Sequence, residues 1–207
     1  MKKAVIFDLD GLLIDSEVIS HRLYDELLHR YGKSVTVAEY ARDYSGKTGV
    51  ANMTNVIARY NLPITVEEGL TWEVAREKEL LQDVQLKPGV VEYLTLLKHQ
   101  GARMCVVTAT PRHLVEICLS RFDLLPYFGF LLTCDEVGTG KDHPDVFFEA
   151  ARRLNAAPAQ IAVFEDSLQA AQTAKKAGFY TVGIYDQTGA VYWDALSAIA
   201  DETRTHW

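Results

Sequence analysis

The second half of the sequence alternates short apolar segments with helical patterns, and this alternation restricts the fold more than any other feature. The apolar segments are rich in β-branched and aromatic residues: "ARMCVVT" (102–108), "FLLTC" (130–134), "IAVFED" (161–166) and "YTVGIY" (180–185). Helical patterns separate them, around 90–100, 112–122, 145–154 and 168–177. Strands separated by helices form βαβ units, whose parallel strands make a sheet covered on both faces. We therefore predict an α/β protein with a parallel sheet.

A further buried strand is predicted at residues 3–8, before a long helical block. From Ser16 to about Gln82 the apolar spacing is that of helices, and we expect no strand there. Within this block "TVAE" (36–39) and "TVEE" (65–68) have the form of capping boxes.

The first strand is expected to join the later strands in one sheet, which makes the helical block an insertion. We predict a Rossmann-like parallel-sheet core at residues 1–15 and 85–207, with an all-helical cap at residues 16–84. The hinges are expected near Asp15 and at Val84–Pro88. Asp15 and Ser16 are interpreted as capping residues at the start of the first cap helix.

Composition excludes several classes of partner. The formal net charge is −7 and no cluster of Lys and Arg interrupts it, which argues against nucleic acid and anionic membranes. No apolar stretch approaches the length of a membrane span. Cys105, Cys118 and Cys134 lack a metal-type spacing, so we interpret them as reduced core thiols of a cytoplasmic protein. A monomer is expected, because no sustained apolar heptad pattern occurs.

Polar side chains collect where the predicted strands end. They are Asp8 and Asp10 after the first strand, Thr108 and Thr110 after the second, Glu165 and Asp166 after the strand at 161, and Lys141 before the helix near Pro144. In open parallel sheets, ligands bind outside the carboxyl ends of the strands. We therefore expect these side chains to converge on one edge of the sheet.

The converging residue types suit phosphoryl transfer. Carboxylates from two strands, Asp8, Asp10 and Asp166, make an oxygen-rich site of the kind that Mg²⁺ prefers. Lys141 and the hydroxyl of Thr108 supply donors for a phosphoryl group. Asp8 could attack phosphorus, and Asp10 could protonate the leaving oxygen and later activate water.

Four motifs occur in order along the chain: "DLDGLLIDS", "VVTAT", "GK…PD" and "FEDSLQAAQTAKKAG". They resemble the motifs of the haloacid dehalogenase-like superfamily, and in particular its branch of small sugar-phosphate phosphatases and β-phosphoglucomutase. The resemblance covers essentially the whole chain. It implies a Rossmann-like core with a mobile helical cap, and Mg²⁺-dependent hydrolysis of a small phosphomonoester through an aspartyl-phosphate.

The resemblance also implies roles for individual residues. Asp8 would be the nucleophile, and Asp10 the general acid and base, whose main-chain carbonyl also meets Mg²⁺. Thr108 and Lys141 would hold the phosphoryl oxygens. The implied metal ligands are Asp8, Asp10, Asp166 directly and Glu165 through water. We further predict substrate contacts at Leu9, Ala109, Thr110, Lys47 and Arg112.

Some positions depart from the family pattern. Asp142 and His143 follow Lys141 where the third motif usually continues with proline, and Ala170 replaces a glycine of the fourth motif. Ser20 stands where β-phosphoglucomutase has a cap histidine, and His21 is the next residue. This shift favours hydrolysis over mutase chemistry.

Several other functions remain open at this point. A phosphohexomutase is the nearest rival, and a dehalogenase would need neither a metal nor Asp10. A receiver-like signalling domain also combines acidic residues, a hydroxyl and a lysine, but its lysine comes last in the chain. A catalytically silent binding module is disfavoured, since every motif carboxylate is present.

Overall fold

The computed structural model describes residues 2–44 and 47–207. The strands are β1 (Ala4–Phe7), β2 (Arg103–Thr108), β3 (Phe130–Thr133), β4 (Ile161–Glu165), β5 (Tyr180–Ile184) and β6 (Glu202–Arg204). Within the described residues they form one parallel sheet of six strands, in the order β3-β2-β1-β4-β5-β6. The predicted parallel sheet is confirmed, with β1 at its centre. β6 was not predicted from the sequence.

Helices cover both faces of this sheet. The helices of the described residues are α1 (Glu17–His29), α2 (Val37–Asp43), α3 (Gly49–Tyr60) and α4 (Val66–Leu80), which form a separate segment, and then α5 (Val90–His99), α6 (Arg112–Arg121), α7 (Cys134–Val137), α8 (Asp145–Arg153), α9 (Leu168–Lys176) and α10 (Trp193–Ile199). Val5 and Phe7 of β1 pack with α5 and α6 in one core, and Ala4 and Ile6 pack with α8 and α9 in another. Because successive side chains of a strand point to opposite faces, a strand buried on both sides is apolar throughout.

The strand register brings the polar ends together. Phe7 of β1 lies beside Val106 of β2 and Phe164 of β4, so all three strands end at the same edge of the sheet. Asp8 therefore follows its strand at the level at which Glu165 ends β4. The predicted convergence of these strand ends is confirmed.

Helices α1 to α4 lie between β1 and α5 and bury a hydrophobic core of their own. Tyr44, Met53 and Leu28 are among its fully buried members. Both predicted capping boxes are present, at Thr36 and Thr65. In the part of the chain that the structure describes, this segment forms helices and no named strand.

The two connections to this helical segment run side by side. The Asp15 N–H donates to the Gln85 carbonyl at 2.8 Å, and the Lys87 N–H donates to the Leu13 carbonyl at 3.0 Å. The Lys87 ammonium contacts Asp15 at 2.9 Å and the buried Asp186 at 2.5 Å. The cap thus leaves and rejoins the core through one paired connection. Its boundaries at residues 16 and 84 remain a proposal.

The state of the cysteines and the lengths of the helices can be compared with what the sequence predicted. Cys105, Cys118 and Cys134 are buried and free. Among the helices described, none combines the length and apolarity needed to cross a membrane.

Candidate active site

A buried lysine joins the ends of the two central strands. The Lys141 ammonium contacts Asp8 Oδ1 at 2.5 Å and Glu165 Oε1 at 2.7 Å. Burial raises the pKa of Glu165 to about 8 and also raises the pKa of Asp8. Burial alone would lower the pKa of Lys141, but the charges of Asp8 and Glu165 outweigh that effect and raise it. Lys141 therefore stays protonated between the two carboxyl groups.

Three carboxyl groups at this edge lie close enough to share a cation. Oxygen atoms of Asp8, Glu165 and Asp166 lie within 4.8 Å of one another. Glu165 Oε2 is buried and has no hydrogen-bond partner. A buried carboxylate oxygen without a donor is costly, and a cation would compensate it. The oxygen-only donor set fits a hard divalent ion such as Mg²⁺.

Asp10 lies outside this cluster, held by hydroxyl groups. Its Oδ2 accepts hydrogen bonds from Thr110 Oγ1 at 2.6 Å and Thr108 Oγ1 at 3.1 Å. Its Oδ1 accepts from Ser16 Oγ at 2.6 Å. Gly11, with φ of 67°, turns the chain immediately after Asp10. The side chain of Asp10 is therefore not a ligand in the carboxylate cluster, and the main-chain contact to Mg²⁺ remains a prediction.

The expected capping role of Ser16 is wrong. Ser16 has helical dihedral angles (φ −91°, ψ −19°) and makes no side-chain capping bond. A capping residue normally has extended angles, as at Thr36 (φ −76°, ψ 157°), so that its oxygen faces the first N–H groups of the helix. Ser16 is only 1% exposed, and its hydroxyl donates to Asp10 instead. Asp15 likewise pairs with Lys87.

The predicted substrate contacts are placed differently from one another. Ala109, Thr110 and Lys47 line the cavity beside the acidic cluster. The Leu9 side chain is fully buried in the core, so only the main chain of Leu9 can serve the site. Burial raises the pKa of Asp8, and the Leu9 N–H acts in the opposite direction. Arg112 is not brought into the cavity: it donates to Glu136 at 2.6 Å and to the Leu131 carbonyl at 2.8 Å. Its proposed substrate contact has no support from this geometry.

The cavity has a volume of about 220 Å³ and lies between the sheet edge and the cap. Its cap side is lined by Ser20, Leu23, Tyr24, Tyr40, Tyr44, Asn52, Glu73 and Glu77, among others. None of these residues was predicted from the sequence to contact the substrate. A signal did exist for Glu73. The buried residues of α4 are Gly69, Glu73 and Leu80, so Glu73 is a carboxylate on the inward face of that helix.

Glu73 and Glu77 are perturbed by their surroundings. Glu73 Oε1 accepts a hydrogen bond from the Tyr24 hydroxyl at 2.6 Å, and burial raises the pKa of Glu73 to about 7. Burial, followed by the charges of Glu73 and Asp10, raises the pKa of Glu77 to about 8. The cap therefore places acidic groups opposite the acidic edge of the sheet.

The position of His21 bears on the mutase alternative. His21 Nε2 lies 2.8 Å from the Val35 carbonyl, and its ring packs against the edge of Tyr40. Ser20, not His21, lines the cavity. The histidine is thus occupied within the cap, on a different side of α1 from the site.

Fold and site together define an α/β enzyme core whose acidic sheet edge is covered by an inserted helical cap. Residues 2–178 match the model of the haloacid dehalogenase-like hydrolases, and the chain belongs to this family. It is 33% identical to a phosphorylated carbohydrates phosphatase of Thermotoga maritima, over 85% of this chain and 82% of that protein. It is 31% identical to validoxylamine A 7'-phosphate phosphatase of Streptomyces hygroscopicus subsp. limoneus, over 100% of this chain and 97% of that protein.

A solved structure extends the similarity to the whole fold. A putative β-phosphoglucomutase from Thermotoga maritima aligns with a TM-score of 0.75 at 26% identity, covering 98% of this chain and 94% of that one. The similarity therefore includes the helical segment as well as the sheet.

Proposed function

We propose that the protein is a Mg²⁺-dependent phosphatase that hydrolyses a small phosphomonoester, a phosphorylated carbohydrate or similar metabolite, through an aspartyl-phosphate on Asp8. One observation carries the proposal: Asp8 lies in a cluster with the buried Lys141 and Glu165 and the half-buried Asp166, while Asp10 is held separately by hydroxyl groups. The two aspartates therefore occupy different environments, as a nucleophile and a proton donor require. Relatives named as phosphatases support the same reaction.

Asp8, Glu165 and Asp166 would hold Mg²⁺, with the main-chain carbonyl of Asp10. When bound, the ion neutralises charge on the phosphoryl group and on the carboxylates. The Lys141 ammonium donates to a phosphoryl oxygen. The single hydrogen of the Thr108 hydroxyl, which otherwise bonds Asp10 Oδ2, turns to the phosphoryl group as a second donor. These donors act in a site from which cap closure excludes water.

The chemical steps use the two aspartates in turn. An Asp8 carboxylate oxygen attacks phosphorus, and the bond from phosphorus to the ester oxygen breaks. Asp10 gives its proton to that leaving oxygen, which departs as an alcohol. Asp10 then takes a proton from water, whose oxygen attacks phosphorus and releases inorganic phosphate from Asp8. The hydrogen bonds from Ser16 and Thr110 fix the orientation of Asp10 for both transfers.

We also propose that the protein acts in the cytoplasm as a monomer. Its three buried free cysteines support a reducing compartment. Sedimentation analysis of the purified chain tests the oligomeric state.

The test of the reaction is the variant Asp8→Asn, which keeps the shape of the side chain but removes its nucleophilic charge. With p-nitrophenyl phosphate and Mg²⁺, turnover should be abolished while circular dichroism and thermal unfolding show a folded protein. Asp194→Asn, an exposed position on α10, is the matched control and should keep full turnover. Wild-type turnover by Asp8→Asn would overturn the mechanism. Isomerisation of glucose 1-phosphate without release of phosphate would favour the phosphohexomutase instead.

A further inference from the structure

The cap side of the cavity contains polar groups to which the fold itself supplies too few hydrogen-bond donors. We refer to Tyr24, Asn52, Glu73 and Glu77 as the acidic cap wall; all four line the cavity. Glu73 is only 8% exposed, and its Oε1 accepts from the Tyr24 hydroxyl. Glu73 Oε2 is buried and has no hydrogen-bond partner. Its second oxygen therefore lacks the donor that a buried carboxylate needs.

Asn52 repeats this pattern. Its Nδ2 donates to the Tyr44 carbonyl at 2.8 Å, while its Oδ1 is buried without a partner. Gly49 lies beside the second oxygen of Glu73 and has no side chain. A Cβ atom at this position would lie 3.4 Å from Glu73 Oε2 and occupy the space next to it. The wall thus presents acceptors without donors, next to a residue that has no side chain.

The positive charges that line the cavity make no contact with the wall among the residues that the structure describes. Among the described residues lining the cavity, the cations are Lys47 and Lys141. Lys141 lies between Asp8 and Glu165 on the sheet side. Lys47 donates to the Asp43 carbonyl at 2.7 Å and also lines a neighbouring cavity, which includes residues of the 140–142 loop. Within the described residues neither lysine is paired with Glu73 or Glu77, and burial raises the pKa of Glu73 to about 7.

We propose that the acidic cap wall selects the leaving group of the substrate. The wall binds a leaving group that carries hydrogen-bond donors, as hydroxyl or ammonium groups, and rejects one that carries a second anionic group. This inference rests on the proposed phosphatase function and adds the property by which the cap distinguishes one phosphomonoester from another.

The selection follows from charge and hydrogen bonding. Hydroxyl or ammonium groups would donate to Glu73 Oε2 and Asn52 Oδ1 and so complete their hydrogen bonds. Above pH 8, where Glu73 and Glu77 are both ionised, a carboxylate or second phosphate would bring a like charge against them in a partly desolvated cavity, where repulsion is strong. A substrate rejected on this ground includes any sugar bisphosphate, the co-substrate of a phosphohexomutase.

The test compares substrates that differ at a single group. Sorbitol 6-phosphate and 6-phosphogluconate differ only in a terminal hydroxymethyl or carboxylate group. At pH 9, where Glu73 and Glu77 are ionised, we expect kcat/KM to favour sorbitol 6-phosphate by at least about tenfold. Inhibition constants of both compounds against p-nitrophenyl phosphate hydrolysis give the same comparison for binding alone. Glucosamine 6-phosphate against glucose 6-phosphate then identifies the donor: a preference for the amine indicates ammonium, and equality indicates hydroxyl groups.

Substitutions in the acidic cap wall test whether its carboxylates cause the discrimination against 6-phosphogluconate. Glu73→Gln and Glu77→Gln should each reduce the discrimination against 6-phosphogluconate by roughly tenfold, mainly through KM. Glu67→Gln is the matched control, because Glu67 is exposed on the same helix, and it should leave the ratio unchanged.

The outcomes separate this inference from the proposed function. If the wild-type protein hydrolyses p-nitrophenyl phosphate but prefers 6-phosphogluconate, or binds sorbitol 6-phosphate no better, only the selection by the wall is overturned. If Lys47→Met removes such a preference, Lys47 determines the specificity instead. If the wild-type protein hydrolyses no phosphomonoester, the proposed function fails and the inference fails with it.

Discussion

The hydrogen bond from Ser16 to Asp10 leads to a prediction that separates two roles for one side chain. Ser16→Ala removes a hydroxyl that is 1% exposed and donates to Asp10 Oδ1 at 2.6 Å. Ser16 is not among the residues that line the cavity, so it acts by positioning Asp10 and not by touching the substrate. The substitution should therefore lower kcat and leave KM nearly unchanged.

The magnitude follows from the bonds that remain. A hydrogen bond to a charged group contributes about 1.5–3 kcal/mol, and Asp10 keeps its bond from Thr110. We expect roughly half of that contribution, about 0.8–1.5 kcal/mol, to be lost from the transition state, because this bond still restrains the carboxylate. This corresponds to a fall in kcat of about four- to twelvefold.

The assay is steady-state hydrolysis of p-nitrophenyl phosphate beside urea unfolding of the same preparations. Thr36→Ala is the matched control, since Thr36 is a true capping residue that accepts from the Glu39 N–H at 3.2 Å. It should lower the free energy of unfolding by about 1 kcal/mol without changing kcat. Ser16→Thr keeps the hydroxyl and should keep most of kcat. A Ser16→Ala protein that loses about 1 kcal/mol of stability while kcat stays within roughly twofold would refute the positioning role.

Three further outcomes are expected. Removal of divalent ions with EDTA should abolish hydrolysis and lower Tm, and added Mg²⁺ should restore both; full turnover in EDTA would contradict the proposed metal site. Burial raises the pKa of Glu73 to about 7 from its ordinary 4.5, so the unfolded chain holds fewer protons than the folded one between these values. The free energy of unfolding should therefore fall as pH rises from 5 towards 8, by at most about 3 kcal/mol from this residue. Glu73→Gln should flatten this dependence in urea titrations at several pH values, and an unchanged slope would exclude Glu73 as its source. Trp207 packs on Phe7 and Phe164 at 5.9 and 5.7 Å and donates to the Leu12 carbonyl at 3.2 Å. Trp207→Ala should lower the free energy of unfolding by about 3 kcal/mol and should also lower kcat. An unchanged urea midpoint would argue against a stabilising role for the packing of Trp207.

Features encoded by neighbouring residues could be predicted from the sequence. The capping boxes at Thr36 and Thr65 depend on residues three positions apart, and both are present. The five apolar strands were predicted because each is a short run rich in β-branched or aromatic residues. β6 was missed, since "ETR" has no apolar pattern and becomes a strand only by pairing with β5.

In the candidate site, too, some features could be predicted from the sequence and others could not. The convergence of Asp8, Glu165 and Lys141 could be predicted, because parallel strands place their carboxyl ends at one edge. The partner of Ser16 and the ion pair of Arg112 with Glu136 depend on side chains far apart in sequence. The spacing of Glu73 from Gly69 and Leu80 puts the three on one face of α4, but the packing of α4 against α1 and α3 decides that this face points inward.

The central place of β1 in the sheet has a consequence for the order in which the protein folds. Ala4 pairs with Arg103 on one side and with Ile161 on the other, so both neighbours of β1 follow the entire cap in sequence. Contacts within the cap are local by comparison, and local contacts require less loop closure and form sooner. A nascent chain would therefore carry an assembled cap while the backbone of β1 still lacked its hydrogen-bond partners. Recovery of phosphatase activity during refolding should follow the completion of the sheet, because the carboxylate of Asp8 takes its place only when strands from both later regions have joined β1.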